Sequence, residues 1–154
     1  MKKLTLLPIL SLIFMLNMAS TCSGDDNNSS SVDATPVINT VTSGTWRVTY
    51  YFDTDTDETN HFTGYNFTFN GSNVLTATNG TNSYTGSWSV ISDDSSDDDN
   101  PSGDLDFNIL FSSPANFADL SDDWDILSRT ATKIELIDVS GGNGGTDYLT
   151  FEKN

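Results

Sequence analysis

The sequence predicts an all-β domain, an eight-stranded antiparallel up-and-down β-barrel with at most one short helix, on three observations. From Gly44 onward apolar and polar residues alternate with a period of two rather than 3.6, which gives each strand one buried and one wet face. Asn70-Gly71 and Asn79-Gly80 lie between such runs, and Asn-Gly supplies the positive φ that tight hairpins require. Most gaps are too short for the dozen or so residues of a parallel crossover. A flat sheet of this size would expose two long edges, and closure removes both. A two-sheet β-sandwich satisfies the same pattern and is the alternative.

In chain order, residues 1–21 form a leader. Met1-Lys2-Lys3 is positively charged, Leu4 to Met18 is mostly apolar, and Ala19-Ser20-Thr21 are small, the three-part pattern of a signal peptide. The apolar stretch is shorter than the roughly 20 residues of a bilayer span and contains Pro8 and Asn17, so it reads as cleaved rather than as an anchor. Cys22 is the single cysteine, which excludes an intrachain disulfide. Residues 22–43 are rich in Ser, Asp and Asn and predict a disordered tether, because so few large apolar side chains cannot offset the entropy of ordering.

The folded domain is expected over 44–154. Trp46, Val48, Tyr50 and Phe52 alternate with Arg47, Thr49, Tyr51 and Asp53; Tyr65, Phe67 and Phe69 alternate with Asn66, Thr68 and Asn70. Further strands are predicted over Asn73–Thr78, Ser83–Ile91, Leu105–Phe111, Trp124–Thr130, Lys133–Val139 and Tyr148–Lys153, with one or two helical turns inside Pro114–Asp123. The expected inward face holds Trp46, Tyr50, Phe52, Tyr65, Phe67, Phe69, Trp88 and Phe107, and Gly64 and Gly86 are expected to relieve crowding where the sheet bends.

Two resemblances rest on these residues. Cys22 directly after small residues resembles the lipobox of bacterial lipoproteins, although Ala19 and Thr21 stand where leucine and glycine or alanine are usual. The acids of Ser23-Gly24-Asp25-Asp26 resemble the surface-export signal of Bacteroidetes lipoproteins. The resemblance implies acylation of Cys22, a lipid anchor in the outer membrane and exposure at the cell surface. Gly44-Thr45-Trp46 resembles the G-x-W signature of lipocalins. GTWRVTYYFD, HFTGYNFTF, TGSWSV, LSDDWDIL and DYLTFEK, in that order, resemble the lipocalin-like domains of Bacteroidetes surface lipoproteins. This second likeness implies a calycin-type barrel that binds or carries a small hydrophobic molecule in its mouth, with Trp46, Tyr50, Phe52, Tyr65, Phe67, Trp88 and Phe107 as candidate lining residues. It also implies a cation capping Trp46, with Arg129 and Lys153 as candidates.

The residues themselves leave a second reading open. The same bulky side chains can fill a domain of this size, leaving a surface scaffold that presents acidic loops to a protein or glycan partner. A packed interior with an exposed aromatic patch, around Tyr51 or Trp124, would favour that reading. Net charge is −16, with 22 acids against six Lys and Arg, two of them in the leader, which excludes nucleic-acid binding. A monomer without a cofactor is expected. Asp53, Asp55 and Asp57, and the run DDSSDDDN from Asp93, invite calcium, which needs six to eight oxygen ligands. Glu58 and Gly64 nevertheless stand where the EF-hand pattern wants glycine and acid, and solvated loops are the favoured reading.

No catalytic activity is expected. His61 is the single histidine, and the sequence contains no G-x-S-x-G elbow, no His/Cys metal spacing and no glycine-rich loop before a helix. A carboxylate pair assembled across a barrel is invisible in sequence; a carboxyl of strongly raised pKa in a concave site would reveal it.

Overall fold

The computed structural model describes residues 32–92, 105–140 and 144–154. The leader, Cys22, most of the expected tether and the acidic run 93–100 lie outside the described residues.

The strands are β1 (Trp46–Asp53), β2 (Thr56–Asp57), β3 (Asn66–Phe69), β4 (Val74–Thr78), β5 (Ser83–Ser92), β6 (Leu105–Leu110), β7 (Asp122–Arg129), β8 (Lys133–Val139) and β9 (Thr146–Lys153). All neighbours pair antiparallel, in the order β2-β1-β3-β4-β5-β6-β7-β8-β9, and β1 also pairs with β9. That last pairing, from Trp46↔Lys153 to Phe52↔Tyr148, closes a ring of β1 and β3 to β9. The closed eight-stranded antiparallel barrel is therefore present, and the sandwich alternative is not. The short β2 is an addition outside the ring, a hairpin return on the end of β1.

Among the described residues of 44–154 the one α-helix is α2 (Ala115–Ala118), inside the segment expected to be helical. A 3-10 turn (Thr59–Phe62) precedes β3. Residues expected in the tether depart from disorder: Thr35–Val41 form a helix, opened by Pro36 in its first turn, that buries Val37 and Val41. Two valines one turn apart were too few to register as helical periodicity, and their burial depends on the barrel end they cover.

The turns follow their chemistry at one site and depart from it at another. Gly80 takes the positive φ (+85°) of the β4–β5 turn, while Asn79 Oδ1 accepts from the backbone N–H groups of Thr81 and Asn82. In the β3–β4 turn the left-handed residue is Asn73 (φ +63°) rather than Gly71, because Asn70 Oδ1 accepts from the N–H groups of Ser72 and Val74 and widens the loop. Gly86 marks a close approach: a Cβ there would meet the Leu110 carbonyl oxygen and lie 2.8 Å from Phe111 Cδ1. Gly64 has open space around it and is required for its φ of +82° instead.

The core runs the length of the barrel. Trp46, Phe67, Phe69, Leu75, Phe107, Trp124, Ile134, Leu136, Leu149 and Phe151 are almost fully buried. At the Trp46 end, α1 (Thr35–Val41) lies beneath the strands, and the Trp46 indole N–H donates to the Val41 carbonyl (2.8 Å). At the opposite end Phe62, Phe117 and Leu120 are buried.

Candidate functional site

A bulge in β1 decides which aromatic side chains reach the interior. Val48 pairs with Phe151 and Tyr50 with Thr150, so Thr49 is an extra residue and the inward register changes after it. Tyr51 turns inward (1% exposed), and its hydroxyl donates to the Asp119 carbonyl (2.7 Å). Tyr50 is 40% exposed and Phe52 half-buried. Their rings lie nearly parallel, 6.2 Å apart, outside the core cluster. Tyr50 and Phe52 thus leave the expected lining, and Tyr51 and Trp124 are interior residues rather than an exposed patch. A strict alternation cannot register an inserted residue.

The other candidates face inward, where they touch one another. Rings run in unbroken contact from Trp88 to Phe69 (5.4 Å), Phe151 (5.4 Å), Phe67 (5.3 Å) and Phe62 (6.4 Å), then to Tyr51 (5.4 Å) and Trp124 (6.5 Å). Phe107 packs on Phe69 and Trp88. Tyr65 is half-buried against Tyr84 and Phe117. Trp46 is wholly buried, with Lys153 Nζ 5.1 Å from its ring centroid, so Lys153 is the capping cation. Arg129 instead donates to Thr40 Oγ1 on α1 (2.9 Å).

Charge separates along the barrel axis. The described Arg and Lys residues, Arg47, Arg129, Lys133 and Lys153, all lie towards the Trp46 end. Arg47 pairs with Glu152 (3.3 Å) and Lys133 with Glu135. Carboxylates gather at the other end, where Asp122, Asp138 and Asp147 bring oxygen atoms within 4.8 Å of one another. Each stands two residues from a buried side chain (Trp124, Leu136 and Leu149), so strand alternation puts all three at inward register on the rim of β7, β8 and β9. Asp147 Oδ1 accepts from the Thr54 N–H (2.7 Å), and Asp138 accepts from Ser140 Oγ (2.8 Å).

The physical result is a reluctant acid. Partial burial, reinforced by Asp123 and by the charge of Asp138, pushes the Asp122 carboxyl up to about 6. Burial also raises the Tyr51 phenol well above its usual value, and the surrounding Asp53, Asp147, Asp119 and Glu58 raise it further. Three oxygen-bearing groups in this arrangement can share a proton or meet a cation. Sequence reasoning missed them because they stand on three different strands, and the register bringing Asp138 opposite Asp147 is set by pairing alone.

The aspartates singled out from sequence do not converge. Asp57 Oδ1 accepts the Thr59 N–H at the start of the 3-10 turn (3.0 Å), and the Thr59 side chain, with that backbone N–H, holds its carboxyl below the usual range. Asp55 accepts from the Thr56 hydroxyl (2.9 Å) and Asp53 lies in the β1–β2 hairpin. His61 lies 3.4 Å from Glu58 with a 41% exposed side chain, a surface pair. A shallow depression of about 470 Å³ lies on the sheet of β5, β6 and β7, lined by Ser87, Ser89, Ile91, Asn108, Leu110 and Asp123 among others.

Comparison with known proteins finds no matching family model, curated protein or solved structure. The class of protein is therefore defined by architecture: a closed eight-stranded antiparallel barrel, compatible with a lipocalin-like fold.

Proposed function

We propose that the protein is a non-catalytic surface lipoprotein, acylated at Cys22 and anchored in the outer membrane, whose barrel is a filled scaffold rather than a carrier. The observation that supports the scaffold is the unbroken ring contact from Trp88 through Phe69, Phe151, Phe67 and Phe62 to Tyr51. An eight-stranded barrel is consistent with carriage of one small apolar ligand, but its interior is just wide enough for side chains to fill it instead. Here wholly buried Phe62 and Phe117 at one end and Trp46 at the other occupy the two positions where a mouth would open.

The anchor rests on the leader and on Cys22. With each buried methylene contributing about 0.8 kcal/mol, two or three acyl chains hold the protein at the membrane essentially permanently. Labelling cells with a radioactive fatty acid tests it: wild type carries label and fractionates with membranes, and Cys22→Ala carries none and is released. Solvent extraction of the purified protein tests the scaffold. No lipid is recovered, and tryptophan fluorescence ignores a panel of apolar probes; a stoichiometric extracted lipid would restore the carrier reading.

A further inference from the structure

We infer that the depression on the outer face of β5, β6 and β7 is a docking site for a basic peptide segment of a protein partner, one whose cationic side chains are flanked by aliphatic ones. The inference rests on the reading of the barrel as a scaffold and supplies the chemistry of the partner.

Three observations meet on this face. The first is an unsatisfied donor: Asn108 Nδ2 is buried and has no hydrogen-bond partner. A native structure seldom leaves such a group idle. A half-turn about χ2 exchanges the two amide atoms, so Asn108 can offer its NH₂ to a carbonyl lying in the depression. An extended peptide brings a row of carbonyls.

Second, the lining includes aliphatic side chains left in water. Ile91 is 50% exposed and Leu110 57% exposed, on adjacent strands of the same face. Between them lie Ser87, Ser89 and Asn108, small enough to leave the depression open. Aliphatic side chains on a strand, or the stem of an Arg or Lys, would cover Ile91 and Leu110.

Third, charge is complementary. Asp122 and Asp123 border the depression, and Asp138 and Asp147 stand behind Asp122 on the rim. The described Arg and Lys residues lie towards the other end of the barrel, so no cation among the lining residues neutralises this corner. A guanidinium or ammonium entering beside Asp123 would meet this uncompensated field, and the net charge of −16 would speed its approach.

The test titrates the full-length protein with a short acetylated peptide of alternating Arg and Leu, followed by fluorescence anisotropy and by NMR of the Asn108 side-chain amide and the Ile91 and Leu110 methyls. Those three signals shift together, and a peptide with Gln in place of Arg does not bind. Leu110→Ser and Asp123→Asn, both at exposed positions, each weaken binding about tenfold, whereas Asp57→Asn on the distant hairpin leaves it within about twofold. The inference is overturned if Asp57→Asn weakens binding as much as Asp123→Asn, since the attraction would then be diffuse. It is equally overturned if the peptide leaves Asn108 unmoved, or if calcium or a soluble glycan moves these signals and the peptide does not. None of these outcomes bears on lipid extraction, so failure here is distinguishable from failure of the scaffold.

Discussion

Trp46 and Asp122 show how single side chains set the behaviour of the two barrel ends. Trp46 joins three parts of the chain: its indole donates to Val41 on α1, Lys153 of β9 lies over its ring, and its backbone pairs with Phe67 of β3. Trp46→Phe keeps an aromatic ring but leaves the Val41 carbonyl without its donor, a loss of about 2 kcal/mol in urea unfolding. Asp122 acts in the opposite sense. Its folded pKa of about 6 lies above the ordinary value near 4, so between those limits the folded state holds more protons than the unfolded one. Stability contributed through this group is full below about pH 4 and is lost as pH rises through about 6. Asp122→Asn should therefore raise the melting temperature at pH 8, with the gain shrinking to nothing near pH 4. A gain that persisted at pH 4 would mean that ionisation is not the cause.

Among the elements, β1 carries one residue more than its ladder needs. Thr49 is unpaired, and without it Val48↔Phe151, Tyr50↔Thr150 and Tyr51↔Leu149 follow one another in unbroken register, with Val48 and Tyr51 on the same inward face. Deleting Thr49 therefore keeps Tyr51 in contact with Phe62 and Trp124 and bonded to the Asp119 carbonyl. The expected result is a cooperative transition with wild-type near-UV circular dichroism, whereas Tyr51→Ala, which removes those contacts, costs about 3–5 kcal/mol in denaturant unfolding. At Gly86 the constraint is steric: Ala at this position collides with the Leu110 carbonyl and Phe111, and the cost, about 1–3 kcal/mol as for other overpacked sites, is read from the shift in the denaturation midpoint. These elements also mark how far the sequence could be read. Alternation located the strands of the ring because each buries one face, and Asn79-Gly80 was recognisable because Gly80 does adopt the positive φ. The bulge, the helix of Thr35–Val41 and the Asp122–Asp138–Asp147 rim were not legible. Each depends on what a distant strand presents, and period and spacing carry no information about that.

For the molecule as a whole, the separation of charge matters more than its sum. The described cations are engaged near Trp46, so carboxylates at the other end repel one another with no Lys or Arg counter-ion among the described residues. Salt screens charges that reach solvent, as these half-buried ones do, within about 8–10 Å at physiological ionic strength. Raising sodium chloride from low to physiological concentration should accordingly raise the melting temperature, the reverse of a protein held together by surface ion pairs. Asp122→Asn should blunt that response, since it removes one of the three facing charges.

The pairing of β1 with β9 also governs when the barrel can form. Arg47 and Glu152 meet across a separation of 105 residues, and the closing ladder runs from Trp46↔Lys153 to Phe52↔Tyr148. A nascent chain therefore carries β1 with one edge unpaired until β9 has been made. Contacts this distant in sequence are the slow ones to form, because loop closure must precede the reward of pairing. Until β9 arrives the ring stays an open sheet with β1 at one edge, so the strand that locks the barrel is also the strand on which its edges depend.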